Sequence, residues 1–553
     1  MDRSVAVWVF AALSLVVLMA LPLGWLGWLS VSGEHGATLA HYRDVFTDLA
    51  LRKALWNTVV LAFWVGLVSV ALGAPLAWLT ARTDIPGRGL IRGLVLASFV
   101  TPPFLGAFAW VMLAGPNAGI LNTLWRSVTG SREPLLNIFT MPGLIFIVAI
   151  YTFPYVYIMV ANTLALIASD LEEAAAILGA GRLTVARTVT LPMVLPALAS
   201  GFILAVLQAL ALFGSPAILA LPAGFHTVTT QIWSLFQFPP KVEQAAAFSI
   251  PLLLATALLL QVQKRVLGRR GYAAVGGKGG QRRTIPLGAW RFPALFACLA
   301  VMACAIFLPY GVLAKAAFAR AWAQPLSRDN LTLGNFTFTF FEYGATRDAI
   351  VNTLELGVMT ACVGAVMVAV LSYVTNRRLV VGHQLVAFLA LAPVVVPGVV
   401  LAVGLFIAYT RPPFVLYGTL WILFLAYLTK EMPVGYAQAD ATFRAIPADL
   451  EDAGRVLGAG RLRILKEVTA PLAKSGIIAA WCFIFIGVIR ELSASILLFT
   501  PSTKVMSVVI FDLKEEGQFG AISVLGLVML GLTFATVALV QAALGRDVLG
   551  TRK

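Results

Sequence analysis

Residues 170–192 read DLEEAAAILGAGRLTVARTVTLP, and residues 449–471 read DLEDAGRVLGAGRLRILKEVTAP. The two stretches align without a gap at an offset of 279 (449 − 170), and more than half of their positions are identical. Each opens with acids that suit the positive end of a helix dipole, with Asp170 and Asp449 as candidate N-caps. Gly179 and Gly458 let the chain turn sharply at the helix end, Gly181 and Gly460 follow, and Pro192 and Pro471 mark the start of the next helix. Polar positions such as Arg182 and Arg461 are identical, which a simple connection does not require. The repeat therefore implies two equivalent docking surfaces.

The duplication continues on either side. Pro154 meets Pro433 at the same offset. Further upstream, Ala54-Leu55-Trp56-Asn57-Thr58 meets Ala349-Ile350-Val351-Asn352-Thr353 at an offset of 295, and Pro103 meets Pro397 at 294. The change in offset, 294 − 279 = 15 residues, matches an additional loop in the first half, PNAGILNTLWRSVTGSREPLLNIF, near residues 115–140. Two halves in the same orientation are related by an axis along the membrane normal, which suits a central pathway.

Composition places these halves in lipid. The chain has 553 residues, 60% of them hydrophobic and 12% charged, with a mean hydropathy of +0.91. Soluble domains carry about 45–50% apolar and about 25% charged residues. Apolar runs fall near 6–28, 57–80, 93–114, 141–165, 194–214, 244–263, 292–314, 350–374, 383–409, 415–437, 475–499 and 519–544. At about 20 residues per span, these predict about twelve transmembrane helices, six per half. The first run is too long for a signal-peptide core and is expected to be a retained helix. The domains are then 1–264, a basic Gly-rich linker 265–290, and 291–553.

The net charge of +15 follows from basic loops rather than from a nucleic-acid face. Placing the N-terminus in the cytoplasm puts Arg82, Arg88, Arg187, Arg377, Arg444, Arg463 and the linker inside, so both termini are expected there. The linker holds Gly276-Gly277-Lys278, but Tyr272 and Gly279 stand where a phosphate loop needs Gly and Ser or Thr. Cys298, Cys304, Cys362 and Cys482 sit in apolar runs, and His35, His41, His226 and His383 are scattered, so no metal site is expected.

Glu173-Ala174-Ala175, three residues, Gly179, nine residues, Val189, one residue, then Leu191-Pro192 resembles the EAA loop of permeases of binding-protein-dependent ABC importers. The second copy has Asp452 for Glu, Gly454 for the second Ala and Ala470 for Leu. The resemblance covers nearly the whole chain and is nearest to fused, two-half permeases of the ferric-iron type. It implies an all-α polytopic type I importer fold. It also implies that Glu172, Glu173, Ala174, Ala175, Gly179, Gly181, Arg182, Glu451, Asp452, Ala453, Gly454, Gly458, Gly460 and Arg461 belong to two coupling loops for a homodimeric cytoplasmic ATPase. ATP and Mg would be held by that ATPase, with no cofactor and no enzymatic activity in this chain. A periplasmic binding protein would deliver the solute across a bacterial inner membrane, and no second permease chain would be required. Ferric iron is the first expectation for the solute; a phosphonate or phosphorylated small molecule, thiamine or a polyamine are the alternatives.

Ionisable residues inside a span point to function. Arg490 and Glu491 qualify, and adjacent helical residues point about 100° apart, so they do not pair with each other. Arg490 either faces the pathway or bonds to unwound backbone. Glu355 is a further candidate, and Pro103 and Pro397 break runs that either form bent gate helices or ordinary kinks. A twelve-helix secondary transporter is the competing class. It has no reason to duplicate an exposed loop, and it needs buried acids for ion coupling.

Overall fold

A computed structural model of the chain describes residues 10, 13–14, 16–33, 36–167, 174–175, 177–268 and 284–544. Among these, eight helices are long and apolar enough to cross a membrane. Two further apolar segments are broken: Arg88–Val100 with Pro103–Ala114, bent by 100°, and His383–Val395 with Gly398–Tyr409, bent by 103°. Leu420–Ala445 has the length of a span but carries Lys430, Glu431, Asp440 and Arg444. The first apolar run is described from Val16 to Ser30. The fold is all-α and polytopic; among the described residues Ser32–Gly33 and Gly36–Ala37 form a short antiparallel pair.

Each half is built on three mutually packed helices. These are Leu49–Arg82, Met141–Leu166 and Leu191–Ala211, and then Gly344–Asn376, Leu420–Ala445 and Ala470–Ile489. In lipid the helices gain little from excluding water, so close approach at small residues holds them. A Cβ added to Gly73 would lie 2.7 Å from the Phe153 carbonyl oxygen and 3.0 Å from the Tyr157 nitrogen. Backbone cannot step aside as a side chain can. Gly73→Leu is therefore expected to cost at least the roughly 1–3 kcal/mol of an overpacked core, read as a lower thermal midpoint in mild detergent.

The duplication is visible atom by atom. Asn57 donates to the carbonyl of His226 at 3.0 Å, and Asn352 to that of Lys504 at 2.9 Å. Thr58 and Thr353 accept the N–H groups of Val228 and Met506 at 2.8 and 2.9 Å. Thr80 bonds Tyr157 as Thr375 bonds Tyr436, both at 2.8 Å. Arg82 donates to the Ile167 carbonyl at 3.0 Å, and Arg377 to the Ile446 carbonyl at 3.1 Å. The Asn-Thr pair repeated in the sequence thus pins the segment that follows the fifth span of its half.

That segment departs from the expected continuous spans 194–214 and 475–499. The helices end at Ala211 and Ile489, and the short helices Gly214–Leu219 and Ser495–Leu498 follow. Non-helical backbone at this depth survives where protein buries it, and Phe213, Gly214, Glu491 and Ser493 are all buried.

The halves exchange their first helices. Val16–Ser30 packs on Gly398–Tyr409 of the second half, where Tyr409 donates to the Val17 carbonyl at 2.7 Å. A Cβ on Gly404 would lie 2.9 Å from the Pro22 carbonyl oxygen. Conversely, the Gly288–Ala317 segment packs on the first half: Trp110 donates to the Cys304 carbonyl and Tyr151 to the Ala305 carbonyl, each at 3.2 Å. The linker's end is anchored too, with Ile285 N–H on the Arg82 carbonyl at 2.8 Å and Leu287 N–H on Asp84 Oδ1 at 2.8 Å. Its Gly-rich part, 269–283, lies outside the described residues.

Candidate functional site

In the second repeated loop, Asp449–Val456 is a helix with Asp449, Glu451 and Asp452 in its first turn. Asp449 is the first helical residue and Ala448 holds the cap position without a side-chain bond, which corrects the expectation that Asp449 caps. Favourable placement of the acid near the helix dipole is kept. Gly458 has φ +81° and Gly179 has φ +87°, the left-handed conformation that Gly adopts without a Cβ penalty. Ala459 N–H then bonds the Gly454 carbonyl, and Ala180 N–H the Ala175 carbonyl, both at 3.0 Å, closing the two helix ends identically. Ala174 and Ala175 belong to the matching turn of the first half. Glu172 and Glu173 lie outside the described residues, as does Asp170.

The acids of the second loop divide in two directions. Glu451 is turned inward, only 2% exposed. It accepts from Arg377 Nε at 2.8 Å, Thr469 Oγ1 at 3.0 Å and Tyr373 at 3.2 Å. Asp452 is exposed and pairs with Arg455 at 2.9 Å. Gly454 packs under Ile464, while Gly460 and Arg461 start the turn leading into a π-helical segment, Leu465–Thr469. Arg182 and Gly181 begin the corresponding segment, whose π-helical part is Ala186–Thr190. Both loops leave an apolar doublet in the open: Ile177 and Leu178 are 86% and 88% exposed, Val456 and Leu457 88% and 87%. The sequence reading passed over these residues. The available signal was an apolar pair kept in both copies outside any span.

The second constellation lies where the halves meet, around a cavity of about 140 Å³ with charged side chains in its wall. Its walls obey the internal repeat. At the offset of 279, Tyr151 corresponds to Lys430, Thr152 to Glu431, Gln208 to Gly487, Ala211 to Arg490 and Leu212 to Glu491, and all ten line it. The cavity therefore sits on the relation between the halves, and all its charge comes from the second half. A larger hollow of about 880 Å³, between Val17, Val363, Val370 and Leu425, is almost wholly apolar.

Arg490 both lines the cavity and bonds to backbone. Its guanidinium donates to the Phe99 carbonyl at 2.8 Å and lies 5.5 Å from the Phe99 ring centroid. In an unbroken helix that carbonyl would accept from residue 103, but Pro103 has no N–H. Arg490 thus fills the acceptor that Pro103 orphans, and ties the halves together. Glu491 forms an ion pair with Lys430 and accepts from Ala494 N–H at 2.8 Å. Pro103 lines the cavity; Pro397 precedes Gly398, whose added Cβ would lie 3.0 Å from Lys430 Nζ. Glu355 is exposed on its helix, away from the cavity. Lys430 and Glu431 escaped the sequence reading, although two adjacent charges within an apolar helix are the signal that singled out Arg490 and Glu491. Among the described residues no group of three or more His, Cys, Asp or Glu could hold a metal ion.

A duplicated membrane fold with a charge-bearing cavity between its halves and two equivalent loops has the organisation of a transport permease. The sequence profile of the family described as binding-protein-dependent transport system inner membrane component matches residues 69–270 and 361–549. The chain belongs to this family and is an ABC importer permease, a transport component rather than an enzyme. It is 24% identical over 494 residues to the ferric transport system permease protein FbpB of Actinobacillus pleuropneumoniae, covering 88% of this chain and 70% of that one. It is 22% identical over 479 residues to the Fe(3+)-transport system permease protein FbpB 2 of Haemophilus influenzae, covering 85% and 86%. A crystal structure of a bacterial alginate ABC transporter, in complex with alginate pentasaccharide-bound periplasmic protein, has a chain that aligns with 48% of this one at 17% identity. The alignment covers 93% of that chain, with a TM-score of 0.42.

Proposed function

We propose that this chain is the membrane pathway of an importer that takes ferric iron from a periplasmic binding protein and passes it to the cytoplasm. The observation that carries the reading is the pair of equivalent loops, each presenting an exposed apolar doublet beside identically closed helix ends. Two equivalent loops suit a homodimeric ATPase, whose two-fold symmetry offers two identical grooves. ATP and Mg²⁺ belong to that ATPase. Closure of the dimer brings the coupling loops together, the halves rock, and the cavity opens toward the binding protein. The basic residues on the side of the repeated loops support a cytoplasmic position for those loops and for both termini. One chain supplies both halves, so no second permease chain is needed. The choice of ferric iron rests on the two ferric relatives, which align with 88% and 85% of the chain.

The test is gentle affinity purification from native membranes, with native mass and uptake of radioactive iron in proteoliposomes. The expected complex holds one copy of this chain and two of one ATPase. It takes up iron only with ATP and binding protein present. A lone chain in several mild detergents, or an unrelated second membrane subunit at one copy, overturns the reading.

A further inference from the structure

The charges around the cavity are unequally satisfied. Lys430 is engaged by Glu491, Glu491 additionally by a backbone N–H, and Arg490 by the Phe99 carbonyl and ring. Glu431 is different. It is 9% exposed, lines the same cavity, and has neither a hydrogen bond nor an ion pair among the described residues. Its carboxyl lies against Gly487, where a Cβ would sit 2.7 Å from Oε1 and closer still to Oε2. The missing side chain at 487 is thus the space the carboxyl occupies. The repeat partner of Gly487, Gln208, stands on the opposite wall, donating through its amide nitrogen to Tyr155. Its amide oxygen is left as an acceptor.

A carboxylate inside a span is costly and needs a counter-charge. Lys430 and Arg490 both act on it electrostatically, but neither forms an ion pair with it, so a direct partner for the carboxylate can come from what passes through. Oxygens that line the cavity and keep a free lone pair include the Glu431 carboxylate, the Gln208 amide and the Tyr155 phenol, which suit a hard cation. The volume of 140 Å³ has room for a small hydrated ion, on the order of four or five waters at about 30 Å³ each. Each positive group there is already held, Lys430 by a carboxylate and Arg490 by the Phe99 carbonyl and ring.

We propose that Glu431 is the residue that meets the cargo, and that the cavity is a transit site for a small, hard, multivalent cation, with Gln208 and Tyr155 as neutral oxygen ligands. This deepens the importer reading and rests on it. The direct test uses Tb³⁺ as probe with the purified full-length chain in lipid nanodiscs, because Tb³⁺ is a hard trivalent ion whose emission is sensitised by nearby aromatic rings. Wild type is expected to give a saturable, sensitised signal. Glu431→Gln should weaken that affinity at least tenfold, and Glu431→Asp should recover part of it. In proteoliposomes with ATPase and binding protein, Glu431→Gln should lower iron uptake at least tenfold, while binding-protein-stimulated ATP hydrolysis stays within twofold of wild type. If Glu431→Gln does not assemble, Gln208→Leu takes its place, with a several-fold loss of Tb³⁺ affinity expected. Unchanged Tb³⁺ affinity in the variant read, or a saturable site for an anion displaced by Glu431→Gln, overturns the proposal. A wild-type complex that binds Tb³⁺ but takes up no iron would instead overturn the choice of cargo in the importer reading.

Discussion

Changing Leu178 and Leu457 together to Asp is expected to abolish capture of the ATPase and leave the permease folded. Both side chains project from the protein almost fully exposed, so their loss removes little from the folded chain, within about 0.5 kcal/mol for an ordinary surface change. In a docked complex each would be buried, and burying a Leu side chain contributes about 1.5–3 kcal/mol. Replacement by Asp forfeits that and leaves a carboxylate in a desolvated contact. Two such losses amount to about 3–6 kcal/mol, at least a hundredfold in affinity. Either single change should weaken binding by one to two orders of magnitude. The measurement is the dissociation constant of the purified ATPase for the permease in nanodiscs, with the thermal midpoint as a control. An affinity within threefold of wild type would show that these loops do not carry the ATPase.

The second large effect is expected at Glu451. This carboxylate is the hub that holds the Asp449–Val456 helix against Arg377 and Tyr373 at the end of Gly344–Asn376 and against Thr469. Glu451→Ala leaves the Arg377 guanidinium, whose side chain is 10% exposed, without its counter-ion. Breaking a buried pair from one side costs about 3–5 kcal/mol. The expected result is a lower thermal midpoint together with ATP hydrolysis that continues while transport per ATP falls, because the helix is no longer fixed to the span it must move. Glu451→Gln keeps an acceptor for Arg377 and should lose less on both counts. A wild-type midpoint and wild-type transport per ATP in Glu451→Ala would remove Glu451 from the force path.

Much of this architecture could be read from the chain because the duplication repeats the same physical solution twice. The Asn-Thr pairs, the Gly-ended loops and the aligned prolines all stand in equivalent places because equivalent backbone groups need satisfying there. Other features were not legible for identifiable reasons. A proline declares that a helix ends, as Pro103 and Pro397 do, but the 100° and 103° turns are set by what each segment packs against. Glu451 and Asp452 are neighbours of like chemistry, and only their three-dimensional surroundings distinguish the buried strut from the exposed acid. Lys430 and Glu431 were concealed by the apolar length around them, and the exchange of first helices leaves no local sequence trace, since either seat offers an apolar helix the same kind of surface.

That exchange governs how the protein is made. Tyr409, which bonds the first helix, is synthesised 392 residues after Val17. At about 5–20 residues per second, the opening helix waits roughly 20 to 80 s in the bilayer before its seat on the second half exists. The corresponding helix of the second half has no such wait, because Trp110 and Tyr151 precede it in the chain. Biogenesis is therefore lopsided in a molecule whose finished halves match. During that interval lipid or insertion machinery shelters the face of the opening helix that Val242–Gly268 does not cover. A ribosome that stalls before residue 398 leaves behind a first half whose leading helix has its contact on Val242–Gly268 but not its seat on the second half, a ready target for membrane quality control.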